Sequence, residues 1–104
     1  MYARNVAMHL KPNTMTIFQR TFDNSVLPIL RKQAGFQDEI IFASDLGGTE
    51  VTAISLWDTK AHAEAYNSTG YLEVLKSLNS VLDGIPKLRS SDVLSSTLRQ
   101  AAHA

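Results

Sequence analysis

Cysteine is absent from the sequence, which excludes disulfide bonds, thiolate nucleophiles and Cys-ligated metal centres. There is no run of about 18 apolar residues either, so no segment is expected to cross a bilayer as a helix. The opening stretch MYARNVAMHLKPN is too polar for the apolar region of a signal peptide, and the expected location is the cytoplasm. Charge of one sign is not in excess: ten Lys and Arg balance ten Asp and Glu, and only Arg31 and Lys32 stand together among the basic residues. Such scattered charge offers no stripe to neutralise a phosphate backbone, so nucleic acid is not an expected partner. The G-x-S-x-G, Walker, Rossmann and EF-hand patterns are also missing, which leaves serine-hydrolase, nucleotide and calcium-loop functions without support.

What is present is a globular composition, 44% hydrophobic and 19% charged, far from the apolar-poor pattern of disordered chains. Its 104 residues suit one domain, with a core expected over about residues 5–98. From Asn5 to Lys11 the residues alternate, Val6, Met8 and Leu10 on one side and Asn5, Ala7 and His9 on the other, which predicts a strand stopped at Pro12. Apolar residues at Met15, Phe18, Phe22, Val26 and Ile29/Leu30 then mark one face of a helix over about 14–34. Asn13 or Thr14 can cap its start, Gly35 suits its left-handed end, and Pro28 predicts a kink near Asn24 to Ser25. The runs DEIIFASD and TEVTAISLW, joined by LGG, predict an antiparallel hairpin. A short helix from about Lys60 to Tyr66, capped by Asp58 or Thr59, precedes a second from about Tyr71 to Leu82. A last strand is expected between Leu88 and Leu98, with Ala101 to Ala104 as a frayed tail.

The order β-α-β-β-α-β predicts an α+β, ferredoxin-like split βαβ fold, a four-stranded antiparallel sheet with helices on one face. Ile40 and Phe42 point away from Ile41 and Ala43, and Ile54 and Leu56 away from Val51, Ala53 and Trp57, so both sheet faces carry apolar surface. The chain's own helices can cover one face only. A second copy on a twofold axis is the simplest cover for the other, and a homodimer is expected.

The segments RKQAGFQDEIIFAS, ISLWDTKAHAEAY, GYLEVLKSL and GIPKL together resemble the antibiotic biosynthesis monooxygenase (ABM) family of dimeric α/β barrels, over roughly Asn5 to Thr97. The cues are a glycine-aromatic pair after a kinked helix, a tryptophan closing the third strand before a helix start, and a proline opening the last strand. The resemblance implies two facing sheets and, in each subunit, a pocket between sheet and helices. Members oxidise electron-rich aromatic molecules such as anthrones with dioxygen and without flavin or metal; others cleave haem or oxidise small quinols. The haem-cleaving branch is similar to a set of asparagine, tryptophan and histidine. By position Asn5 matches the asparagine, while Tyr66 and Lys76 replace the other two, which argues against haem as a cofactor. His9 and His62 have no metal-ligand spacing.

Three residues are catalytic candidates. Asn5 can hold a substrate oxygen or O2 through its amide; His9, on the same strand face, can take a phenolic proton as a general base; and Tyr66 combines a ring with a hydroxyl tip. Trp57, Tyr71 and Phe22 are candidate substrate-binding walls, although Trp57 and Tyr71 suit the core better. The expected function is cofactor-independent monooxygenation of a small aromatic or quinol-like molecule, with no metal or cofactor. The alternative is a non-catalytic dimeric module of the same fold that binds a hydrophobic ligand or a partner protein.

Overall fold

The computed structural model describes residues 1–43 and 48–97. Strand β1 (Tyr2–His9) is central, paired antiparallel with both β3 (Glu50–Trp57) and β4 (Lys87–Asp92). It begins earlier than the alternation from Asn5 implied, because Tyr2 has a partner on each side, Trp57 and Asp92. Strand β2 (Phe36–Ala43) pairs with β3, giving the order β2-β3-β1-β4 of a ferredoxin-like sheet. Leu46 and Gly47 of the LGG turn lie outside the described residues; Gly48 has φ 62°.

The first helical segment runs as α1 (Met15–Thr21), a π-helical turn (Phe22–Val26) and α2 (Leu27–Arg31). The kink expected from Pro28 takes the form of that π turn, in which the Leu27 N–H donates to the Phe22 carbonyl five residues back. It also serves packing. Phe18, Phe22, Val26 and Leu30 are all buried at spacings of four, and a helix of 3.6 residues per turn drifts by about 40° over each such step. The wider π turn offsets the drift and keeps all four side chains on the sheet. The expected side-chain cap does not form: the Thr14 hydroxyl instead donates to the Lys11 carbonyl at 2.7 Å.

Gly35 (φ 82°) ends this segment, and a Cβ there would collide with Asp58 Oδ1 and the His62 ring. Helix α3 (Lys60–Ser68) is capped by Thr59, whose Oγ1 accepts from the His62 N–H at 3.2 Å. Helix α4 (Gly70–Leu78) stops four residues short of the expected Leu82. The reason is competition from β1: the Lys11 N–H donates to the Val81 carbonyl at 2.8 Å and the Asp83 N–H to the His9 carbonyl at 2.7 Å. Strand β4 is likewise shorter than expected, because its partner β1 ends; past Asp92 a last bond joins the Val93 N–H to the Met1 carbonyl at 2.9 Å. The expected frayed tail, 101–104, lies outside the described residues.

The inner face of the sheet carries Tyr2, Arg4, Val6 and Met8 of β1 opposite Trp57, Ser55, Ala53 and Val51 of β3. The helices close over it, and Leu10, Phe18, Val26, Val51, Trp57 and Leu78 are fully buried there. The outer face carries Ala3, Asn5, Ala7 and His9 with Ile54, Leu56, Ile40 and Phe42, the last 54% exposed. Both faces are therefore apolar, as the alternation predicted. Among the described residues no helix is long and apolar enough to cross a membrane.

Candidate functional site

A row of four directly opposed residues crosses the inner face: Ser90 of β4, Arg4 of β1, Ser55 of β3 and Glu39 of β2. All the inner positions of β1 and β3 nearby are apolar or aromatic, so this row sets polar groups into an otherwise greasy layer. Arg4, Ser55 and Glu39 border a cavity between sheet and helices whose remaining wall is Val6, Met8 and Ala53 from the sheet, Phe22, Val26 and Leu30 from the first helical segment, and Tyr66, Tyr71, Val74, Leu75 and Leu78 from α3 and α4. Its free volume is about 30 Å³, room for a water or two.

Arg4 is only 3% exposed. Its guanidinium packs against two neighbouring rings, with Cζ 5.1 Å from the centre of Tyr66 and 4.8 Å from that of Tyr71. Nη1 donates to Asn67 Oδ1 at 3.0 Å, whereas Nε and Nη2 are buried and find no protein partner among the described residues. Burial lowers the Arg4 pKa, with the nearby phenols acting against that shift; a guanidinium stays charged even so. Glu39 has moved the other way. Burial and the charge of Asp38 push its carboxyl up to about 8, against the pull of Arg4, so it is largely protonated at neutral pH. The Tyr66 and Tyr71 phenols are pushed up by burial and stay protonated as donors.

Behind Tyr66 the aromatic packing continues. Tyr66 stacks on Trp57 (centroids 4.9 Å, 28°), and Phe36 meets Trp57 edge-on at 5.6 Å. The Trp57 Nε1–H donates to Ser55 Oγ at 2.9 Å, which satisfies a fully buried indole. Trp57 is thus a backing for the wall rather than part of it, whereas Phe22, Tyr66 and Tyr71 line the cavity directly.

Asn5 and His9 do not join them. Both lie on the outer face of β1, turned away from Tyr66 by the strand's alternation, and His9 opens onto a shallow groove with Glu50, Thr52 and Ile85. Of the three catalytic candidates only Tyr66 lines the cavity: one step along the strand exchanges Asn5 for Arg4 as the residue facing it. Lys76 is exposed on α4, and neither His9 nor His62 lines the cavity, so no described imidazole there could hold a haem iron. Among the described residues no group of three or more His, Asp or Glu could hold a metal.

Arg4 and Glu39 were not among the expected site residues, yet their strands signalled them. Arg4 stands two residues before Val6 and Glu39 two before Ile41, each in phase with the core face.

No curated protein sequence matches the chain. Solved structures do. The candidate antibiotic biosynthesis monooxygenase of Nitrosomonas europaea is 18% identical and superimposes with a TM-score of 0.74, over 91% of this chain and 100% of that one. A counterpart from Bordetella bronchiseptica is 12% identical with a TM-score of 0.77, over 90% and 97% of the two chains. SnoaB, a cofactor-independent oxygenase from Streptomyces nogalater, is 10% identical with a TM-score of 0.76, over 92% and 95%. At such identities the likeness is one of fold. The family profile for antibiotic biosynthesis monooxygenases matches residues 1–79, about three quarters of the sequence and every element that borders the cavity, and the chain belongs to that family.

Proposed function

We propose that the chain is a cofactor-independent monooxygenase acting on a small aromatic or quinol-like molecule held between the sheet and the helices. The observation that carries this reading is the composition of the cavity wall: aliphatic and aromatic carbon interrupted by one cation, one carboxyl raised to about 8, and two phenols. A flat, electron-rich ring fits such a wall, with polar partners for its oxygens alone.

The first step is loss of a phenolic or carbon-acid proton. A carboxylate with a pKa of about 8 accepts it far better near neutrality than an ordinary one, so Glu39 takes the role expected of His9. The developing enolate is held by the Tyr66 hydroxyl and stabilised by the positive charge of Arg4 in the same cavity, both already in a low-dielectric site. The electron-rich carbanion then reacts with O2 directly. Converting a ring CH2 to C=O consumes one O2 and releases one water, so the substrate supplies all the electrons. Admission of a ring requires Tyr71 and Leu75, both half-buried on α4, to swing outward from the small resting cavity.

That small free volume favours a second reading, a non-catalytic module that binds a hydrophobic ligand or partner protein. Oxygen uptake with a panel of anthrones and hydroquinones, without added cofactor, separates the two. Turnover supports the enzyme; absence of turnover with a compound that measurably binds removes it. In either case the reading pairs two copies through their outer faces, with Asn5 and His9 at the dimer interface.

A further inference from the structure

We propose that the cavity takes its ligand as an aromatic carboxylate, seated at two points on the Nε–Nη2 edge of Arg4. This rests on the reading of the cavity as a ligand site and goes further by naming the group that ligand must carry.

The guanidinium has five N–H bonds in a fixed plane, and the protein commits its surroundings unevenly. Tyr66 and Tyr71 crowd its Cζ at 5.1 and 4.8 Å, and with their own ring centres 6.0 Å apart both lie to one side of it. One end is tied to Asn67 through Nη1. What is left is the edge where Nε and Nη2 lie side by side with parallel N–H bonds, and those are the two buried nitrogens without a protein partner among the described residues. Parallel donors on one edge match the two oxygens of a carboxylate. A single hydroxyl or ketone oxygen would satisfy only one of them.

The charge balance points the same way. A buried cation without a counterion is costly, and no described carboxylate lies within ion-pair distance of Arg4. Glu39 is the acid that shares the cavity and feels the Arg4 charge, but it starts from the far side of β3, is held largely neutral, and makes no ion pair with Arg4. An entering carboxylate supplies the missing negative charge. The rest of the wall, Val6, Met8, Phe22 and Val74 among it, calls for an apolar body attached to that group.

The test uses the full chain at pH 7, with benzoate, salicylate and 1-naphthoate each titrated against its uncharged amide by calorimetry. In parallel the assigned Arg4 Nε–H resonance is followed in a 15N-labelled sample. At least one carboxylate should bind about tenfold or more tightly than its amide, the difference expected of charge-assisted hydrogen bonds. The Arg4 Nε–H signal should move as it binds. Arg4→Lys, which keeps the charge but has no edge, should lose most of that preference; if this variant does not fold, the wild-type comparison and the resonance still decide. Equal affinity for acid and amide, no binding by any of the carboxylates, or binding that leaves the Arg4 signal unmoved overturns the proposal. Carboxylate binding with no oxygen uptake from any compound removes the oxygenase reading and keeps this one. Uptake from uncharged quinols without carboxylate binding does the reverse.

Discussion

Tyr66 sits between a fully buried indole and a buried guanidinium, 4.9 Å from the Trp57 ring and 5.1 Å from Arg4 Cζ. Tyr66 both stacks in the core and lines the cavity, and removing its hydroxyl alone separates the two roles. Tyr66→Phe keeps the stack and should change stability by less than about 1 kcal/mol, while lowering kcat about 100-fold through loss of one oxyanion donor. Steady-state oxygen uptake and a urea melt measure the two effects. Glu39 carries a different signature. Its folded pKa, raised from 4.5 to about 8, means the native state holds a proton that the unfolded chain releases across that window. Stability conferred by the neutral form is full below about pH 4.5 and is lost as pH rises towards 8, by an amount on the order of a few kcal/mol. Glu39→Gln should remove that decline, so that it melts at higher temperature than the wild type at pH 8.5; thermal melts between pH 5 and 9 read this directly, and parallel profiles for the two proteins would contradict it.

At the scale of the elements, most of the architecture was legible because the hydrophobic alternation and the helical spacing agree with the fold. Val6, Met8 and Leu10 defined the inner face of β1, and Val51, Ala53 and Trp57 that of β3, as the register confirms. What escaped was the continuation of those patterns through charged residues. Arg4 and Glu39 are in phase with the core, but a lone cation or carboxylate on a strand is ordinarily solvated, and its withdrawal from water depends on helices that pack over it from elsewhere in the chain. Asn5, one residue along, was favoured for its chemistry and faces the other way. The π turn was legible only as a disturbance at Pro28, since the i→i+5 bond follows from packing Phe18, Phe22, Val26 and Leu30 on one line. Gly35 was read as a helix stop, but tertiary contact adds to that requirement. Its φ of 82° and the collision awaiting any Cβ with Asp58 and His62 mean that Gly35→Ala should cost at least about 2 kcal/mol by urea unfolding.

For the whole molecule, the sheet divides two tasks. Its inner face holds the cavity, and its outer face, with Ile40, Phe42, Ile54 and Ala7, is left without helices of its own. Placing a charge at its centre, as in Ile54→Arg, should convert a dimer into a monomer by light scattering at micromolar concentration; a wild-type monomer would overturn that assembly. On the inner face, a carboxyl raised to about 8 shares a cavity with a cation and two phenols, the groups that the proposed reaction of an aromatic substrate with O2 would use. The most direct test is the pH dependence of cofactor-free oxygen uptake at saturating substrate, compared between wild type and Glu39→Gln. The wild-type rate should climb with pH and level off at or above about 8, and the variant should lose about 100-fold or more, since a missing general base typically costs that much. A flat wild-type profile, or a Glu39→Gln enzyme as fast as the wild type, would contradict the proposed reaction.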